Sequence, residues 1–128
     1  MPRTEATHVL GDLQLAIMRV LWTRGEAAAA EVHSALEEDR GLAPTTIATM
    51  LRKMEDKGVV VHRAEGRRFI YRPTVSEPEV KRSMVSELTS MLFRGNPAAL
   101  VNHLIAEHEI DSAELAELKA LLANTEET

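Results

Sequence analysis

At 128 residues, 45% of them hydrophobic, the chain is long enough to bury a core without staples, as one domain or as two small lobes. It contains no cysteine, which excludes a disulfide framework, a thiolate metal site and a cysteine nucleophile. The N-terminus lacks a basic-then-apolar signal pattern and no apolar run approaches the ~20 residues that span a bilayer, so a cytoplasmic protein without membrane insertion is expected.

The net charge of −5 is unevenly placed. Residues 1–39 hold three Arg or Lys against seven Asp or Glu, residues 40–72 eight against three, and residues 73–128 four against ten. A cationic middle on an otherwise acidic chain still suits phosphate binding, while the acidic remainder limits unspecific adhesion.

Residues 1–9 show no period and are expected to fray. From Asp12, the expected N-cap, Leu13, Ile17, Val20 and Leu21 fall on one helical face, and Trp22 reads as a core anchor closing the helix before Gly25. Ala27 to Ala29 fit either a short strand or a loop. Glu31 to Arg40 predicts a short helix with Val32, Ala35 and Leu36 inward and its acids outward.

Leu42 to Gly58 has a marked start, a marked stop and two chemically different faces. Pro44 suits a first helical turn and Gly58 the left-handed position just past the end. Ile47, Leu51 and Met54 make the apolar stripe. Thr45, Thr46, Thr49, Arg52, Lys53 and Asp56 make the other face. Hydroxyls near a helix start can approach base edges and phosphates, and cations further along can neutralise backbone charge. Two short helices joined at Arg40 to Ala43 form a helix-turn-helix pattern, in which the second helix reads DNA.

After Gly58 the period changes to alternation: Val59 to Arg63 and Arg68 to Arg72, joined by Ala64 to Arg67, predict a hairpin. Arg63, Arg67 and Arg68 lie at its tip and flanks. A basic hairpin directly after a helix-turn-helix is the wing of a winged helix, and its tip reaches phosphates or a minor groove.

Pro73 ends the wing, and Ser76 with Glu79 has the spacing of a capping box. That helix carries Val80, Met84, Leu88 and Met91 to about Phe93. Arg94 and Gly95 stop it, and Asn96 and Pro97 start a second helix carrying Leu100, Val101, Leu104 and Ile105. Asp111 with Glu114 starts a third, with Leu115, Leu118, Leu121 and Leu122, before a tail from Asn124 that is expected to be disordered. Three amphipathic helices in so thin a lobe need a partner, the simplest being a second copy. A twofold dimer predicts an inverted-repeat operator. The fold expected is therefore mainly α with a small β-hairpin: a winged helix-turn-helix DNA-binding domain over 10–74, then a three-helix dimerisation tail over 75–123.

These residues resemble the penicillinase and methicillin-resistance repressor family (BlaI/MecI type) over roughly residues 10–122. The resemblance rests on Met18, Leu21 and Trp22, on Ala43 to Leu51, on Lys57 and Gly58 followed by Val59 to Arg63, and on Gly66 and Arg67 with Tyr71 to Pro73. A C-terminal tail of matching length adds to it. It implies a homodimer that binds a palindromic operator in double-stranded DNA and represses transcription. By position, Thr45, Thr46, Thr49, Arg52 and Lys53 fall where the family's helix contacts DNA, and Arg63, Arg67 and Arg68 fall on the wing. The dimerisation residues expected are Val80, Met84, Leu88, Met91, Leu100, Leu104, Leu115, Leu118 and Leu122.

Ala48 departs from the family's cation or larger polar residue and offers only an apolar contact, as to a thymine methyl. Gln14 replaces a frequent Glu, which reads as a surface change. Inducible members are cut in the second tail helix by a membrane-receptor protease at an Asn-Phe bond; the aligned pair here is His103 and Leu104, with Asn102 one place off. The resemblance therefore leaves the releasing signal open. Copper-responsive relatives use a C-terminal cysteine site that this chain lacks.

No cofactor and no metal are expected. The rival within DNA binding is a metal- or ligand-sensing repressor using His8, His33, His62, His103 and His108, but His103 and His108 are five apart, off the i, i+4 spacing of a helical pair. A helical protein-interaction module is the rival outside it, and the cationic middle counts against that. An enzyme is not expected: no histidine sits beside a nucleophile in a recognised order and no glycine-rich loop cradles phosphate.

Overall fold

In the computed structural model, which describes residues 9–126, the elements run α1 (Asp12–Arg24), β1 (Ala27–Ala28), α2 (Ala29–Arg40), α3 (Pro44–Lys57), β2 (Val60–Glu65), β3 (Arg68–Pro73), α4 (Glu77–Phe93), α5 (Pro97–Ala106) and α6 (Ser112–Glu126). The fold is mainly helical, with one antiparallel sheet in the order β1-β3-β2. The chain divides into two compact units between Val85 and Ser86, inside α4, whereas the change of pattern at Pro73 places the division near residue 74. The cause is that Val75 and the start of α4 are needed to close the first core.

That core joins Ile17, Met18 and Leu21 of α1, Val32 of α2, Ile47, Leu51 and Met54 of α3, and Val59, Val60 and Tyr71 of the sheet region. Fully burying a side chain of this size contributes about 1.5–3 kcal/mol relative to leaving it exposed. Val80, expected at a dimer face, is 1% exposed within this core, and Met84 packs against it. Val80 is therefore closed to a partner, while Met84, half-buried, keeps only part of its surface free. The Trp22 indole N–H donates to the Val75 carbonyl at 2.9 Å, tying α1 to the segment that leads into α4.

Local details correct several expectations. The α1 N-cap is Gly11, with Asp12 the first helical residue, and α1 continues past Trp22 to Arg24. The Gln14 carboxamide oxygen accepts from the Gly11 N–H at 3.2 Å and lies 3.3 Å from Lys57 Nζ, so Gln14 secures a helix start rather than merely decorating the surface. α2 begins at Ala29, and Ala35 is exposed, leaving Val32 and Leu36 as its buried positions. Ala27 and Ala28 form a strand, paired with Tyr71 and Ile70 of β3. α6 extends through Asn124 to Glu126, beyond its expected end. The fraying expected of residues 1–8 lies outside the described residues.

In the second unit each helix start is fastened locally. Asn96 Oδ1 accepts from the Ala99 N–H at 3.3 Å, and Asp111 and Glu114 form a reciprocal box, Glu114 N–H to Asp111 Oδ1 at 2.8 Å and Asp111 N–H to Glu114 Oε1 at 3.1 Å. The burial differs from that of the first unit. Among the described residues from Ser86 onward, no apolar side chain is buried in the single chain. No helix among the described residues is long and apolar enough to cross a membrane.

Candidate nucleic-acid interface

α3 is held from both ends. Pro44 occupies its first turn, and His33 Nε2 sits 2.7 Å from the Leu42 carbonyl oxygen in the preceding turn. At the far end Gly58 takes φ 89°, which lets its N–H reach the Glu55 carbonyl at 2.9 Å while the Val59 N–H reaches Met54 at 3.1 Å. This 6→1 and 5→2 pair is a Schellman closure, and it turns the chain straight into the wing. With Ile47, Leu51 and Met54 buried on the inner stripe, Thr45, Thr46, Thr49, Arg52 and Lys53 are all exposed on the outer face, as is Asp56.

The wing pairs β2 with β3 from Val60↔Pro73 to Glu65↔Arg68, leaving Gly66 and Arg67 as a two-residue turn. Gly66 takes φ 63°, a conformation that L side chains rarely adopt, as the first central position of a tight hairpin requires. Arg67 and Arg68 are exposed at this tip; Arg68 has one long ion pair, 3.9 Å to Glu65. Among the described residues Arg52, Lys53, Arg67 and Arg72 make no ion pair, so their charge is open to an incoming anion.

Arg63 is placed differently from its wing neighbours. Its guanidinium donates to Glu26 at 2.6 Å and to Glu65 at 2.7 Å. These two carboxylates raise the Arg63 pKa above its ordinary value, Glu65 being the larger cause, and Arg63 holds Glu65 below the usual carboxylate range. The cation is therefore largely compensated within the chain. A direct consequence can be measured: replacing Glu26 and Glu65 together with Gln should free Arg63, tighten binding to duplex DNA and steepen its salt dependence by up to about 0.9 in log–log slope. An unchanged slope would show that Arg63 points away from phosphate even when released.

Sequence reasoning missed the ground between these elements. Ala29, Ala30, Ala48, Arg52, Arg68 and Phe69 line much of a groove of about 440 Å³ where the start of α2, the middle of α3 and the wing meet. Its walls are small and apolar, and it carries one cation from α3 and one from the wing. Phe69, half-exposed at 50%, is an aromatic ring on the wing surface; the alternating pattern places it on the second strand but does not show its exposure. Tyr71 lies in the same wall. Burial, helped by the Glu55 carboxylate and opposed by Arg52, raises its phenol above the ordinary value, so it stays a neutral hydroxyl. Of the histidines considered as ligands, His33 and His62 are engaged in hydrogen bonds and His103 lies against Phe93 at 5.7 Å; His8 falls outside the described residues. Among the described residues no three His, Asp or Glu side chains cluster as a metal site would require.

The penicillinase repressor family model matches residues 10–124, spanning the winged unit and nearly all of the tail. The chain belongs to the penicillinase repressor family. It is a family of transcriptional repressors, not enzymes, as the family's description and the relatives' names agree. The transcriptional regulator BlaI of Mycobacterium tuberculosis is 35% identical over 118 residues, covering 87% of this chain and 86% of that one. The DNA-binding domain of the repressor BlaI, solved in solution, superposes with a TM-score of 0.52 at 33% identity, over 57% of this chain and 89% of that domain. The Bacillus licheniformis BlaI monomer solved in complex with the blaP half-operator matches at TM-score 0.50 and 33% identity, with the same coverage of 57% and 89%. The winged-helix fold is shared with these relatives.

Proposed function

We propose that this chain is a transcriptional repressor that binds an inverted-repeat operator in double-stranded DNA as a homodimer. The observation that carries the reading is the pairing of an exposed Thr45, Thr49 and Arg52 face on α3 with exposed cations, Arg67 and Arg68, at the wing tip next to it in the chain. Thr45, Thr46 and Thr49 take the base edges and nearby phosphates, Arg52 and Lys53 the backbone further along, and Arg67 and Arg68 the backbone at the wing. Arg63 joins them only when its two carboxylates let go. The related BlaI, solved bound to its half-operator, supports the DNA-binding reading.

The tail supplies the second copy. Leu88, Met91, Leu92, Val101, Ile105, Leu121 and Leu122 are all exposed in the single chain, Met91 at 72% and Leu122 at 63%. So many exposed large apolar side chains call for cover, and a second copy is the cover that an interface supplies. Of the residues expected there, Leu88, Met91 and Leu122 remain the free ones. Leu100, Leu104, Leu115 and Leu118 are half-buried and contribute their remaining surface. Release from the operator is assigned to loss of this tail contact. If a membrane-receptor protease performs it, the aligned bond His103–Leu104 lies within α5, so scission requires that helix to open first.

Replacing Arg67 and Arg68 together with Ala tests the wing. Binding to all duplex sequences should weaken alike and the log–log salt slope should fall by about 1.8, two phosphates at about 0.9 each. A parent chain whose duplex affinity ignores salt would overturn the proposed function. A loss confined to one base position would overturn the phosphate role of these arginines.

A further inference from the structure

Glu55, in the last turns of α3, and His62, on β2, join the two elements that face DNA. His62 Nδ1 lies 2.7 Å and 2.9 Å from the two carboxylate oxygens of Glu55. Both side chains are about two-thirds buried, His62 at 31% and Glu55 at 30% exposed. The imidazole is stacked on Phe69 at 4.2 Å between ring centres with 28° between planes, and Tyr71 packs at a tilt 5.4 Å away. The carboxylate can accept from Nδ1–H in either the charged ring or the neutral tautomer that carries its proton there, so the contact does not require protonation.

We propose that this latch fixes the wing against α3, so that Arg67 and Arg68 engage the same duplex that α3 reads; the inference rests on the DNA-binding reading above. A two-stranded ribbon alone is marginally stable and twists easily, and β1 supports β3 over only two residues, Ala27 and Ala28. The wing root is tied by Thr74, whose hydroxyl donates to the Gly58 carbonyl at 2.6 Å and whose N–H donates to Val59 at 2.9 Å. Those bonds hold the base only. Toward the tip the next fastenings are Glu55–His62 and, one residue on, Arg63–Glu26; of these only Glu55–His62 reaches α3, and Phe69 closes over it while forming the wall of the groove between Arg52 and Arg68. Without the latch Arg63–Glu26 would still hold β2 to the segment before β1, but beyond the root nothing among the described residues would fix the wing to α3. The tip would then sample several angles relative to that helix, and its arginines would meet phosphate only part of the time.

Charge and position predict opposite signs for one substitution, which makes the latch testable. Glu55→Ala removes a negative charge near the interface, which by itself strengthens DNA binding. Loss of positioning weakens it. In the full chain, titrated with a random-sequence duplex across a range of salt, Glu55→Ala and His62→Ala should lower affinity and reduce the slope by up to about 1.8. Glu55→Gln, whose amide oxygen still accepts from Nδ1–H, should bind as well as the parent or better. In the Arg67→Ala/Arg68→Ala background Glu55→Ala should add nothing, because the latch acts through those two residues. An additive loss, or tighter binding by Glu55→Ala, overturns the latch. A readout without DNA separates this from the functional reading: amide order parameters over residues 64–68 should fall in Glu55→Ala from about 0.85 toward 0.6. Unchanged order in the wing overturns the latch even if the parent binds no DNA, whereas reduced order with a parent indifferent to duplex overturns only the functional reading.

Discussion

Replacing Leu121 and Leu122 together with Glu is expected to turn the proposed dimer into a monomer and to lower affinity for a full palindrome by about 10²- to 10⁴-fold, while affinity for a single half-site stays near that of the parent. Both residues lie on α6 and are exposed, at 59% and 63%, so charge there leaves the single chain undisturbed. In a twofold interface each substitution is felt twice, and four leucines at about 1.5–3 kcal/mol apiece are exchanged for carboxylates that lose water without gaining a partner. Sedimentation velocity reads the assembly state, and titration with paired and single half-site duplexes reads the avidity. A variant that stays dimeric would remove α6 from the interface. A monomer that keeps full-palindrome affinity would show that the second copy contributes nothing to binding.

What the sequence made legible divides by range. The start and stop of α3 follow from Pro44 and Gly58, and the caps of α4 and α6 from Ser76 with Glu79 and Asp111 with Glu114; every one of those contacts closes within about a turn. Long-range partners were not legible. Arg63 and Arg67 look alike in a basic hairpin, yet Arg63 is claimed by Glu26, 37 residues earlier, through the placement of β1, a strand of two alanines with no period to announce it. Val80 and Met91 sit on one apolar stripe of α4 with equivalent chemistry, but the first closes the winged core and the second does not. A stripe predicts that a face will be covered, not what covers it. The Glu55–His62 latch was hidden for the same reason, since helix and strand periods place each residue on a face without saying that the two faces meet.

Leu51→Ala should cost about 2–5 kcal/mol, a large share of the roughly 5–15 kcal/mol that holds a domain of this kind together. Leu51 is fully buried in the middle of α3, between Ile47 and Met54, in a core that also takes Ile17, Met18 and Leu21 from α1 and Val59 and Val60 from the start of the wing. The cavity left by the missing carbons therefore lies under the helix that carries the whole outer face, and DNA binding should fail as that face loses its seat. For a unit of this size each kcal/mol shifts the midpoint by about 4–8 °C, so calorimetry should show Tm falling by about 10 °C or more. Thr49→Val on the exposed side of the same helix is the control: Tm should hold, because an exposed change stays within about 0.5 kcal/mol, while the preferred base sequence changes. If Leu51→Ala left Tm and binding intact, α3 would have to be anchored by something other than its buried stripe, and the division of the helix into a packing face and a reading face would fail.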